Sequence, residues 1–118
     1  MSDALTRVRE AALELPETEE RPSHGQPTFF VAGKQFAQFR DNHHGDGKTV
    51  VCVRASGLDE QAMLLEADPQ TDSKPAYLPT WVSINLTREN VDWDHVGDRI
   101  AASWELAAPR RLLEAGGR

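Results

Sequence analysis

Residues 22–40 read PSHGQPTFFVAGKQFAQFR, and the parsing of this stretch decides the fold. Two apolar runs, Thr28–Ala32 and Gln35–Arg40, flank Gly33-Lys34. A Gly-X pair between apolar runs predicts a hairpin closed by a two-residue type II′ turn, because glycine supplies the positive φ needed at the first turn position. Upstream lies Pro16 to Pro27, PETEERPSHGQP, with three prolines and a glycine; this composition predicts loop. Its acidic run, Glu17, Glu19 and Glu20, reads as solvated surface and not as a metal site.

Before that loop, Leu5, Val8, Ala12 and Leu15 recur at helical spacing, which predicts an amphipathic helix over Asp3–Leu15 with Ser2 or Asp3 as N-cap. After the hairpin, Asp41–Lys48 (DNHHGDGK) reads as a turn-rich connection and Thr49–Arg54 (TVVCVR) as a covered strand that completes a meander. Ser56 is placed to cap a short helix over Gly57–Ala67, with Asp59 completing an imperfect capping box. In PAYLPTWVSINL, Val82, Ile84 and Leu86 alternate with Trp81, Ser83 and Asn85 as a one-sided strand requires. Pro79 separates that strand from a short edge strand at Ala76–Leu78. Asp92 can cap a last helix whose apolar stripe is Trp93, Val96, Ile100, Trp104 and Ala107. Pro109 should end it, leaving Arg110 and Arg111 near its C-terminus, where the helix dipole favours cations. The order α-β-β-β-α-β-β-α implies a single α+β domain, an antiparallel sheet with helices packed mainly on one face.

Composition narrows the function. A chain of 118 residues with one cysteine suits one hydrophobic core without disulfides or a CxxC metal motif. No segment approaches the ~18 apolar residues of a membrane span. The acidic N-terminus lacks the pattern of a signal peptide, so the expectation is a cytoplasmic protein. The net charge of −6 argues against indiscriminate binding to phosphate backbones. Charge is unevenly spread, however: residues 21–56 carry five basic and two acidic side chains, and this hairpin region alone is net basic.

Catalytic signatures are missing. The sequence holds no GxSxG elbow, P-loop, GxGxxG or HExxH, and Cys52 sits mid-strand, where a buried and inert thiol is the ordinary outcome. The expectation is a non-enzyme without a cofactor. His43 and His44 with Asp41 and Asp46 are ligand types suited to a metal, but a Gly-containing turn presets no geometry and an exposed loop is the simpler reading. His24, in a Pro/Gly-constrained loop, can fix that loop through a backbone hydrogen bond, or can line a small-ligand pocket with Arg21, Gln26 and Trp81. Trp93 and Trp104 belong to the core, whereas Trp81 lies opposite the Val82/Ile84/Leu86 face and can be partly exposed.

Five motifs carry a resemblance: His24-Gly25-x-Pro27-x-Phe29, Gly33-Lys34-x-Phe36-Ala37, Trp81-Val82, Val91-Asp92-Trp93-Asp94 and Ala108-Pro109-x-Arg111. In this order, over nearly the whole chain, they resemble the MmcQ/YjbR family of small bacterial proteins. The resemblance implies an α-β₃-α-β₂-α fold, likened both to secretion chaperones and to a "double wing" DNA-binding motif. One departure is His95, where the family tends to place a Glu that completes a capping box; a weaker helix cap is expected here. The wing likeness implies weak, salt-dependent contact with double-stranded DNA through Lys34, Arg40, Lys48 and Arg54, with Gln35 or Gln38 reaching base edges. The chaperone likeness implies instead a protein or small ligand on the sheet face around His24 and Trp81. Against the wing reading, strand ends and turns are commonly charged for solubility alone.

Overall fold

The computed structural model describes residues 3–41, 47–75, 78–87 and 90–114. Helix α1 (Asp3–Leu13) leads into strands β1 (Thr18–Ser23), β2 (Gln26–Val31), β3 (Lys34–Asp41) and β4 (Thr49–Arg54). Helix α2 (Leu58–Ala67), strands β5 (Asp72–Ser73) and β6 (Trp81–Asn85), and helices α3 (Trp93–Ala107) and α4 (Arg110–Glu114) follow. The strands form one antiparallel sheet in the order β1-β2-β3-β4-β6-β5.

Register sorts the side chains onto two faces. Phe29, Ala37, Val53 and Val82 lie opposite one another across β2, β3, β4 and β6, and Phe39, Val51 and Ile84 form the next apolar row. These residues are buried and share one core cluster with Val8 and Ala12 of α1 and Val96, Ile100 and Trp104 of α3. Leu64 and Leu65 of α2 pack against the same cluster, so the helices cover one face of the sheet. A bulge between Phe29 and Phe30 leaves Phe36 as an extra residue on β3. It breaks strict alternation, and the neighbours Phe36 and Ala37 are both fully buried. Ser103 of α3 ties the helix to this irregularity: its hydroxyl donates to the Phe36 carbonyl and accepts from the Arg54 N–H at 2.8 Å.

Several local expectations are corrected. Within Pro16–Pro27, Thr18–Ser23 is a strand, not loop. It is the outermost strand on its side, where Pro22 can sit without removing a needed ladder donor, and its charged outward residues hide the alternation. The β2–β3 turn is Ala32-Gly33, one residue earlier than expected, bracketed by the Val31–Lys34 pair. Its φ values of +49° and +80° are the two positive values of a type I′ turn, not type II′. His24-Gly25 repeats the device between β1 and β2, with φ of +53° and +77°. Ser56 does not cap α2 through its hydroxyl. Gly57 is the N-cap, without a side-chain bond, and the Ser56 N–H donates back to Glu60 Oε1 at 2.7 Å.

Asp92 does cap α3, its Oδ1 accepting from the His95 N–H at 3.1 Å. The helix stops at Ala107, with Ala108 extended before Pro109, as the steric restriction on a pre-proline residue requires. Arg110 and Arg111 therefore open a separate short helix and do not close α3. Arg111 holds the Glu17 carboxylate with two hydrogen bonds of 2.9 and 2.8 Å, and Arg9 holds Glu20 likewise at 2.9 Å each. The Ser2 and Asp3 caps and the Ala76–Leu78 strand lie outside what the structure describes; a two-residue strand at Asp72–Ser73 is the outer neighbour of β6.

Candidate functional site: the helix-free face of the sheet

The face turned away from the helices is polar. One row runs across the whole sheet as Arg21, Thr28, Gln38, Cys52, Ser83 and Ser73, and the next holds Arg40, Val50 and Asn85. Alternation placed these residues opposite the core, yet Thr28, Gln38, Arg40, Cys52 and Ser83 are all buried. A buried polar group must be hydrogen-bonded, and a network satisfies this requirement. Arg40 Nε donates to Gln38 Oε1 at 2.8 Å, Gln38 Nε2 donates to Thr28 Oγ1 at 3.1 Å and to the Ser23 carbonyl at 3.4 Å, and Thr28 Oγ1 donates to the Gln26 carbonyl at 3.0 Å. The chain of bonds crosses three strands and holds the guanidinium of Arg40 by Nε.

Arg40 lines a cavity of about 340 Å³, together with Lys48, Lys74, Ser73, Ser83 and Asn85. With Gln70 and Thr71, three cations and five neutral hydrogen-bonding side chains meet there, and no carboxylate lines it among the described residues. Of the residues expected to contact DNA, Arg40 and Lys48 belong to this cavity. Gln38 is 5% exposed and committed to the network, so its amide does not reach the surface. Lys34 is exposed at the start of β3, about 25 Å from Lys48 at the rise of an extended strand. Arg54 is half-buried: its Nε donates to the Gln35 carbonyl at 2.8 Å and its guanidinium lies 5.2 Å from the Trp81 ring centroid. Burial lowers its pKa from the ordinary arginine value.

The expected His24 pocket is not assembled. Arg21 lies 4.3 Å above the Phe30 ring, Gln26 is half-buried at the start of β2 opposite Ser23, and His24 is exposed on the β1–β2 turn. Trp81 is 5% exposed, not partly open as the alternation suggested, and it pairs with Arg54 of neighbouring β4, with β3 and β4 lying between its strand and β2. The left-handed conformation of His24 gives that residue a turn-forming role instead. His43, His44 and Asp46 lie outside the described residues, while Asp41 is exposed and accepts from Thr49 Oγ1 at 2.9 Å. Sequence reasoning missed Lys74 and Ser73, whose loop DPQTDSKP carries no pattern. It could have found Ser83 and Asn85, which alternation already assigned to this face.

Cys52 sits among these groups but is fully buried, and desolvation drives its thiol up to about 11, against smaller lowering effects from Arg40 and Ser83. A thiol rather than thiolate at neutral pH is a poor nucleophile. The folded protein should therefore resist a thiol reagent such as Ellman's reagent at pH 8, with one equivalent released only in denaturant. Rapid labelling of native protein would contradict this burial.

Comparison with known proteins follows the same outline. A family model described as YjbR matches residues 13–106. The crystal structure of Deinococcus radiodurans protein DR2400, with a DUF419 domain, superposes with a TM-score of 0.75 at 19% identity, covering 97% of this chain and 88% of that one. Similarity at this level establishes a shared fold. No curated protein sequence matches the chain.

Proposed function

The chain belongs to the YjbR family, and from that premise we propose that it is a non-enzymatic binding module whose helix-free sheet face takes a small anionic ligand, a carboxylate or phosphate compound. The observation that carries this reading is the convergence of Arg40, Lys48 and Lys74 on one cavity without a lining carboxylate among the described residues. In a protein of net charge −6, three cations in one concavity concentrate positive potential where a compact anion fits. Arg40 suits the role because its guanidinium is oriented before any ligand arrives, which lowers the ordering cost of binding.

Calorimetric titration with citrate and with inorganic phosphate tests the reading. Saturable heat is expected at about 50 mM salt, weakening as salt rises, and Lys74→Ala should lower affinity about three- to tenfold while leaving the fold intact. Absence of saturable heat for both anions, or a Lys74→Ala variant that binds like the parent, would sink it.

A second reading, double-stranded DNA along the β3–β4 pair, is favoured by the exposure of Lys34 and Lys48 at its opposite ends, although the Val31–Lys34 pairing puts Lys34 on the helix side of the sheet. Few cations on an acidic protein make such binding weak and steeply salt-dependent. Fluorescence anisotropy with a mixed duplex pool separates the two. Duplex affinity lost on Lys34→Ala assigns the β3–β4 pair to DNA, whereas citrate binding that ignores Lys34→Ala and falls on Lys74→Ala keeps the cavity with the small anion.

A further inference from the structure

A second cavity, of about 330 Å³, lies on the helix side of the sheet, between α2, β5–β6 and the start of α3. Its charge is opposite to that of the first: Asp68, Asp72 and Asp92 line it with His95, and no lysine or arginine does among the described residues. Asp92 is occupied in capping α3. Asp72 is different. It pairs with Ile84 of the core face, is 5% exposed, and its Oδ1 is buried without any hydrogen-bond partner. Leaving a carboxylate oxygen in that condition costs stability that a protein recovers only through a donor, and burial raises the pKa of the Asp72 carboxyl accordingly. Leu64, Ile84, Val91 and Val96 supply an apolar wall beside it.

We infer that this cavity is a binding site for a small organic cation, a primary ammonium on a short aliphatic chain, with the ammonium donating to Asp72 and the chain lying against Leu64 and Val96. The size fits a compact ligand, and an ammonium adds to the nearby Arg99 charge the donors that Asp72 Oδ1 lacks. A bare metal ion fits less well, because the described residues hold no group of three or more His, Cys, Asp or Glu side chains placed to ligate one. The anion cavity opens on the other side of the sheet, with Thr71 and Asn85 bordering both.

The test is calorimetry on the full chain with n-butylammonium chloride as the probe, 1-butanol as its neutral counterpart, and magnesium chloride. Butylammonium should bind saturably with a Kd of about 1 mM, as so small a ligand allows, and 1-butanol should bind at least about tenfold more weakly. Asp72→Asn should lower butylammonium affinity about tenfold or more while remaining folded by circular dichroism. Leu64→Phe, which narrows the cavity and keeps the carboxylate, should weaken butylammonium more than methylammonium, a readout that does not depend on the Asp72 variant folding. No saturable heat with butylammonium leaves Asp72 a hydrated core carboxylate and overturns the inference. So does equal binding by 1-butanol, unchanged affinity in Asp72→Asn or Leu64→Phe, or a saturable response to magnesium that butylammonium lacks.

Discussion

Replacing Trp104 by alanine removes about 3–5 kcal/mol of folding stability, the largest effect expected of a single substitution in this chain. Trp104 is fully buried, on the stripe by which α3 faces the sheet, and its Nε1 donates to the Pro16 carbonyl at 3.0 Å. One side chain thus fills the core and fastens the turn between α1 and β1. Alanine leaves a cavity and an unanswered carbonyl. Phenylalanine refills most of the volume but not the hydrogen bond, and should cost about 1–2 kcal/mol. Trp93 is the internal control: half-buried at the start of the same helix, with the Arg7 guanidinium 5.5 Å from its ring, its alanine variant should lose far less. Urea unfolding followed by circular dichroism measures all three. Equal losses for Trp93→Ala and Trp104→Ala would refute this account of α3.

Gln38→Leu comes next, at about 2–4 kcal/mol. Leucine preserves volume but withdraws the amide that joins Arg40 to Thr28 and Ser23, so buried polar groups on three strands lose a partner together. Anion affinity should fall several-fold as well, although Gln38 does not line the cavity, because Arg40 is no longer held by Nε. Gln38→Glu separates the two consequences. It keeps an acceptor for Arg40 and should unfold more easily than the parent by only about 1–2 kcal/mol. The new carboxylate also neutralises Arg40 as an anion site, so citrate binding should drop more than with leucine. Citrate affinity unchanged in Gln38→Glu would place the anion away from Arg40.

What was legible in the sequence, and what was not, follows from the physical source of each signal. Repeating apolar positions disclosed α1, α3 and β6, and a continuous β-branched run disclosed β4, since these patterns are written in residues that must be buried. The hairpin was equally plain, but its turn was misplaced by one residue: Ala32 accepts a left-handed conformation that sequence logic reserves for glycine or asparagine. Strand β1 was invisible because TEERPS carries charge and proline at positions that face outward from the sheet margin. The residues of the two proposed sites were the hardest to read. Arg40 and Gln38 look like surface wing contacts, and their burial depends on three strands arriving side by side. Asp72 sits in a loop-like run, and nothing local reveals that its oxygen ends in the core.

The two margins of the sheet bear on how copies of this protein coexist at high concentration. β1 presents Glu19, Glu20, Arg21 and Pro22 along one margin, and β5 closes the other with only two residues. Neither offers the long, uncharged row of free backbone donors and acceptors that recruits another chain into a continuous sheet. Like-charged molecules of net −6 also repel one another on approach. The six-stranded sheet is therefore self-terminating, and its polar face can remain uncovered by helices without becoming a template for fibrils.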